Sequence, residues 1–356
     1  MPDLSLFAVT ALGLEPFTAQ ELRQLSLAGV TGTVGGVEFR GAACDVYRAN
    51  LHLRTASRIL VRVGEFYAAA FSELRKKASR LPWENFIAPD RPVALKVTCH
   101  KSRLYHSDAV AERVAGAIGD RLGQEVKRAN ADDDNATQLI VVRLVRDQCA
   151  ISIDSSGALL HQRGYRLATA KAPLRETLAA GMILASGWDA ASPLLDPFCG
   201  SGTIPIEAAL LANNIPPGGA RRFAFMDWPN FDAALWESLT NDDARHTDPF
   251  PPIIASDRDA GAIEAAQANA DRADVADCIE FTRRAVSAIE PPPGPGWIVT
   301  NPPYGVRVSE NKDLRNLYAQ FGNVVRAKCP GWRIAMLTGD PQLTRSVGLD
   351  FDEGIP

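Results

Sequence analysis

The sequence has 356 residues, 46% of them hydrophobic and 22% charged, with a formal net charge of −4. That length implies two or three domains, and the composition is that of a globular protein rather than a disordered or fibrous chain. No apolar run reaches the ~18 residues that would span a bilayer.

Met1-Pro2-Asp3 lacks the basic start of a signal peptide. The six cysteines lie far apart with no C-x-x-C pair, and the five histidines show no ligand spacing. A cytoplasmic, metal-free monomer with no membrane partner is expected. Charge is uneven along the chain. Residues 1–170 carry 22 Lys/Arg against 18 Asp/Glu, and the rest 16 against 24. The first half is therefore the better candidate for holding phosphates.

In chain order, Leu4–Val9 reads as a strand, and a helix with apolar positions at Phe17, Leu22 and Leu25 follows. A second strand lies near Val37-Glu38-Phe39, a helix runs over 42–57, and Ile59–Val63 is a third strand. Strand–helix–strand–helix–strand over 1–62 suggests a ferredoxin-like α+β domain. Residues 63–157 form a second α+β domain. It has a basic helix at 71–77, a strand at 93–98, a helix striped by Val110, Val114 and Ile118, and strands at 139–144 and 150–154. Between them His100–His106 is a basic loop in which Lys101 and Arg103 are candidate RNA backbone contacts. A solvated loop is the plainer alternative. Asp132-Asp133-Asp134 reads as a turn and not a metal site.

The third domain spans 158–356. His161-Gln162-Arg163-Gly164-Tyr165-Arg166 makes the junction, with Arg163 and Arg166 as further RNA candidates, and Pro173 is placed to open a helix reaching about Ser186. Leu194-Leu195-Asp196-Pro197-Phe198-Cys199-Gly200-Ser201-Gly202-Thr203 then takes an apolar strand through a glycine loop into a helix. Gly200 and Gly202 allow close backbone approach to a ligand, and the helix start can receive a carboxylate. A dinucleotide fingerprint would need a third glycine where Pro205 stands, and its acid about 20 residues on is absent. A nicotinamide oxidoreductase is thus disfavoured. The next acid at a strand end is Asp257, suited to the two hydroxyls of a ribose. It follows an insertion over 213–252 rich in aromatics, which either frame a base or pack onto the domain.

Trp297-Ile298-Val299-Thr300 reads as a buried parallel strand stopped by Asn301-Pro302-Pro303-Tyr304. Asn301 is left at a strand's carboxyl end, where open α/β sheets bind ligands. Its side-chain carbonyl and the Pro302 carbonyl can accept from a planar amino group while Tyr304 stacks on a base. A tight turn is the alternative reading for these four residues alone. The strand–helix alternation predicts a doubly wound, Rossmann-like parallel sheet.

D-P-F-C-G-S-G-T, an acid at the next strand end, and N-P-P-Y-G resemble an S-adenosylmethionine-dependent amino-methyltransferase. With H-Q-R-G-Y-R, A-P-L-R-E-T-L-A-A, G-V-E-F and W-P-N-F, nearly the whole chain resembles the THUMP-domain RNA guanine-N2 methyltransferases, nearest to the bacterial 23S ribosomal RNA group. The resemblance implies a ferredoxin-like and a THUMP domain that bind RNA, followed by a methyltransferase domain using S-adenosylmethionine. It implies that Asp196, Phe198, Cys199, Gly200, Gly202, Asp257 and Asn301 line the cofactor. It implies further that Asn301 and Pro302 grip the target amine and that Tyr304 stacks on the base. Two departures stand out. Ala285 occupies the place of an acid that contacts adenine, and the sequence ends at Gly354-Ile355-Pro356 where relatives add an antiparallel hairpin, implying an exposed sheet edge. Competing readings are a transfer-RNA guanine-N2 enzyme, an adenine-N6 methyltransferase, and a non-catalytic RNA-binding module.

Overall fold

The computed structural model describes residues 3–129, 137–166, 174–241, 250–304, 311–352 and 354–355. They fall into two compact units, 1–160 with 221–242, and 161–220 with 243–356. The Asp132–Asp134 turn, Pro173 and Gly305 lie outside the described residues.

The first unit runs β1 (Leu4–Thr10), α1 (Glu15–Gln24), β2 (Ala28–Thr33), β3 (Gly36–Gly41), α2 (Ala43–His52), β4 (Ala56–Tyr67), α3 (Phe71–Ala78), β5 (Val93–His100), α4 (Ser107–Leu122), β6 (Gln138–Val145) and β7 (Gln148–Asp154). One seven-stranded sheet holds all seven strands in the order β2-β3-β1-β4-β7-β6-β5. β2 is absent from the sequence reading because Ala28–Thr33 is an almost wholly exposed edge strand with no apolar alternation. The expected domain boundary at 62–63 falls inside β4. That twelve-residue strand pairs with β1 through Arg62 and with β7 out to Tyr67, so the two α+β halves share a sheet.

The second unit starts with α5 (Glu176–Ser186), β8 (Leu194–Asp196) and α6 (Thr203–Ala212). After α7 (Ala233–Thr240), which belongs to the first unit, come β9 (Ile253–Asp257), α8 (Ala260–Arg272), β10 (Ile279–Arg283), β11 (Trp297–Thr300), α9 (Asn311–Lys328), β12 (Arg333–Met336) and α10 (Pro341–Val347). Its five strands are all parallel, in the order β10-β9-β8-β11-β12. The order reverses between β8 and β11, which creates a crevice at their carboxyl ends. Every residue of β8 is buried, as are the last three of β11, matching the continuous apolar runs of a sheet covered on both faces.

The insertion departs from expectation. Phe223, Phe225 and Trp228, expected to frame a base or to pack onto the third domain, are buried in the core of the first unit. Phe225 stacks on Tyr47 of α2 with ring centroids 4.4 Å apart, and Trp228 Nε1 donates to Gln138 Oε1 at 2.9 Å. The Arg221 guanidinium donates to the carbonyls of Leu159 and Ala158. The aromatic run had legible burial but no legible destination, since an apolar ring carries no address.

Candidate active site

β8 ends in Asp196 and β11 runs into Asn301, which the sheet order places side by side. A cavity of about 470 Å³ opens there, lined by Asp196, Phe198, Cys199, Gly200, Asp257 and Asn301 among the residues singled out by sequence. Ala285 lines it too, so no carboxylate projects from that position. Gly202, Pro302 and Tyr304 are not among its lining residues. Pro302 is buried, and Tyr304 is 42% exposed. Sequence reasoning missed Leu174, Thr203, Arg258, Asp259, Leu317 and Gln320. Thr203 was legible as the first residue after the glycine loop, whereas Leu317 and Gln320 arrive from α9 with no local signal.

The glycine loop is held by backbone bonds. Cys199 N donates to Ser256 O at 3.0 Å and Gly202 N to Cys199 O at 2.8 Å. Gly202 caps α6 at φ +83°, and a Cβ there would sit 2.9 Å from Ala266 Cβ. Gly202→Ala is expected to cost about 1–2 kcal/mol from the left-handed conformation alone, before the clash with α8. Urea unfolding against wild type checks it.

Asp257 accepts from Gly200 N at 3.1 Å and from Asp259 N at 3.0 Å, one amide on each oxygen. Each oxygen keeps a further lone pair for a ligand hydroxyl. Asp196 accepts from the Thr300 hydroxyl at 2.6 Å and from Phe198 N at 3.1 Å. Burial pushes its carboxyl up from 3.8 to about 7, and the neighbouring Asp257 charge adds to the rise while those two hydrogen bonds oppose it. A raised carboxyl favours the fold when protonated. Its contribution is complete below the unfolded value and is lost as pH climbs through about 7. Asp196→Asn is therefore expected to flatten the fall in thermal stability of the free protein as pH rises from about 4 to about 7, which melting curves across that range would read. Cys199 is buried, and desolvation raises its thiol far above the usual range, so it is a neutral wall and not a nucleophile.

Asn301 Oδ1 is buried and accepts no hydrogen bond among the described residues. Such an orphan is uncommon in a folded protein and is a mark of an acceptor reserved for something else. The following turn is fixed from α9, where the Tyr318 hydroxyl donates to Pro303 O at 3.3 Å. A Cβ on Gly339 would come within 3.1 Å of the Tyr304 ring.

The RNA candidates divide. Arg103 is 75% exposed at its side chain, and its backbone N is pinned to Asp147 Oδ1 at 2.7 Å, in a loop that also exposes Lys101. Arg163 and Arg166 do not fit the expectation. Arg163 is only 3% exposed and lies 3.6 Å from Glu207, while Arg166, 14% exposed, lies 3.2 Å from Glu176. Both are ion pairs within the second unit, that of Arg163 buried and that of Arg166 partly buried. Their acid partners sit on α6 and α5, so the basic stretch looked unpaired in one dimension.

A family model described as RMKL-like methyltransferase domain matches residues 163–352, more than half the chain. The chain belongs to the RMKL-like methyltransferase family. Ahead of that domain, an RlmL ferredoxin-like domain matches 5–60 and a THUMP domain matches 68–154, in agreement with the expected fold class. This RMKL-like methyltransferase is 34% identical to slr0064 of Synechocystis sp., named as an RNA methyltransferase, over 100% of the chain and 96% of that relative. It is 35% identical to the ribosomal RNA large subunit methyltransferase K/L of Syntrophotalea carbinolica, over 97% of the chain but 50% of the relative. The chain thus spans about half the length of the K/L relatives. Among solved structures, a predicted N6-adenine-specific DNA methylase from Listeria monocytogenes superposes with TM-score 0.88 at 34% identity, covering 98% of this chain and 92% of that one. SMU.472, complexed with SAH, superposes with TM-score 0.86 at 31% identity, covering 99% and 94%. No helix among the described residues is long and apolar enough to cross a membrane.

Proposed function

We propose that this RMKL-like methyltransferase transfers a methyl group from S-adenosylmethionine to the exocyclic N2 of a guanosine in 23S ribosomal RNA. The observation that carries the reading is the buried Asn301 Oδ1, without a hydrogen-bond partner among the described residues, at the cavity shared with Asp196 and Asp257. S-adenosylmethionine is the cofactor, and it supplies an electrophilic methyl on a sulfonium when bound. The cavity fits it: about 470 Å³, a glycine loop that admits close approach, and Asp257 with free lone pairs for a ribose. Asp196 in its carboxylate form favours a cationic ligand. The bound relative SMU.472, which carries SAH, supports the same assignment.

The guanine amine is a poor nucleophile because its lone pair is delocalised into the ring. Asn301 Oδ1 and the Pro302 carbonyl accept hydrogen bonds from its two N–H groups, which favours a pyramidal nitrogen with its lone pair aimed into the cavity; one of those protons leaves to solvent once the nitrogen carries the methyl. Tyr304 stacks on the base. Catalysis is then positioning and local electrostatics, with no strong base required. Lys101 and Arg103 contact the RNA backbone from the THUMP domain. The enzyme acts as a monomer in the reducing cytoplasm, where its six unpaired cysteines remain thiols.

Adenine also presents an exocyclic amine, and the Listeria relative is named for adenine N6. The full-length likeness to slr0064 and the ribosomal K/L name favour RNA and the ribosomal target. Transfer from labelled cofactor to ribosomal and transfer RNA, followed by mass spectrometry of nucleosides, tests this. N2-methylguanosine in 23S RNA is the expected product. N6-methyladenosine, or label in transfer RNA alone, replaces the substrate, and no transfer to any RNA leaves a binding module.

A further inference from the structure

Arg166 reaches two walls of the cofactor cavity at once. One Nη donates to Thr203 Oγ1 at 2.6 Å and to the Leu174 carbonyl at 2.9 Å, and both Thr203 and Leu174 line that cavity. Its Nε lies 3.2 Å from Glu176, a side chain 4% exposed at the start of α5. Arg166 itself is not a lining residue. A guanidinium has donors and no acceptor, so Thr203 Oγ1 is occupied as an acceptor and its hydroxyl proton must be given elsewhere. Among the described residues nothing takes that proton.

We infer that Arg166 is a positioning residue for cofactor binding: it fixes the Thr203 hydroxyl as a donor pointing into the cavity and ties the Leu174 wall to the same point. The inference rests on the assignment of this cavity to S-adenosylmethionine. A second brace runs beside the first. Arg272 Nε donates to Tyr165 O at 2.7 Å, and Asn269 Nδ2 donates to Ser201 O at 2.9 Å. Arg272 also donates to Asn269, so the stretch that includes Tyr165 and Arg166 meets the carboxyl end of the glycine loop twice, directly at Thr203 and through Arg272 and Asn269 of α8 at Ser201. A planar fork is needed for this, because one arm must face Glu176 while another serves two oxygens. A lysine keeps the charge opposite Glu176 and cannot fill both directions.

The test is a double-mutant cycle on SAH affinity by calorimetry, with Arg166→Lys, Thr203→Val and the pair, alongside melting temperatures. Wild type binds SAH, Arg166→Lys and Thr203→Val each weaken binding about tenfold, and the double variant binds no worse than the weaker single. Such non-additivity is what a shared interaction gives. Arg166→Lys is expected to melt near wild type, since the ion pair with Glu176 survives. SAH affinity unchanged in Arg166→Lys, or single losses that multiply in the pair, would overturn the role, even with a lowered melting temperature. If Arg166→Lys fails to fold, unchanged binding by Thr203→Val, with Arg166 intact, overturns it equally. Wild type that binds no SAH would refute the cofactor assignment itself, a different result from any of these.

Discussion

Asn301→Ala is expected to lower the single-turnover rate of methyl transfer by about 10²–10³-fold, the loss typical when one preorganised hydrogen-bonding partner of the reacting group is removed. SAH affinity should stay within a fewfold. The two readouts separate because Asn301 Oδ1 is buried and has no hydrogen-bond partner among the described residues, so its removal breaks no bond to that oxygen there. The cofactor contacts assigned to the glycine loop and Asp257 come from other residues of the cavity, which Asn301→Ala leaves in place. Truncation also relieves an unsatisfied buried oxygen, so the variant should melt no lower than wild type. Retained turnover would mean that the amine is held elsewhere. Lost SAH binding would move Asn301 from the substrate to the cofactor.

The second large effect is on folding. Residues 1–160 produced alone should fail to give a stable fold, although they hold all seven strands of their sheet. The missing segment is 221–242, which supplies Phe223, Phe225 and Trp228 to that core at 2%, 0% and 7% exposure. Its absence would uncover Tyr47, strand the Gln138 side chain that accepts from Trp228, and free the carbonyls that Arg221 caps. In the full chain, Phe225→Ala is the milder version, at about 3–5 kcal/mol for a fully buried aromatic. Limited proteolysis should then find cleavage in the N-terminal unit, although the mutated position lies inside the methyltransferase sequence. A stable, protease-resistant 1–160 fragment would show that the insertion decorates a core complete without it.

Both strand ends that make the site were legible, because each pairs an apolar run with a residue that stops it: Pro197 and the glycines after Asp196, and the two prolines after Asn301. Period and punctuation are local, so sequence carries them well. What failed was long-range pairing. Arg163 and Arg166 look like cations awaiting phosphate until Glu207 and Glu176 are brought beside them by packing. Aromatic residues of 221–242 announce burial without naming a core. β2, lying at an edge and rich in glycine and threonine, has no inward face to betray it. Ala285 lines the cavity with a methyl group, so the want of a carboxylate there could be read from the sequence alone.

β4 has a consequence for how such chains can vary. The ferredoxin-like match ends inside this strand at residue 60 and the THUMP match begins at 68, just past its end; the strand's early residues answer to β1 and its later ones to β7, with a register shift between Arg62 and Gly64 already taking up one step. Adding or deleting a single residue between 56 and 67 would turn every downstream side chain to the opposite face. The seam between the two modules therefore has a fixed count, like the teeth of meshed gears. Recombination could trade these halves only by cutting at matching phase, and length changes must be accommodated in the loops instead.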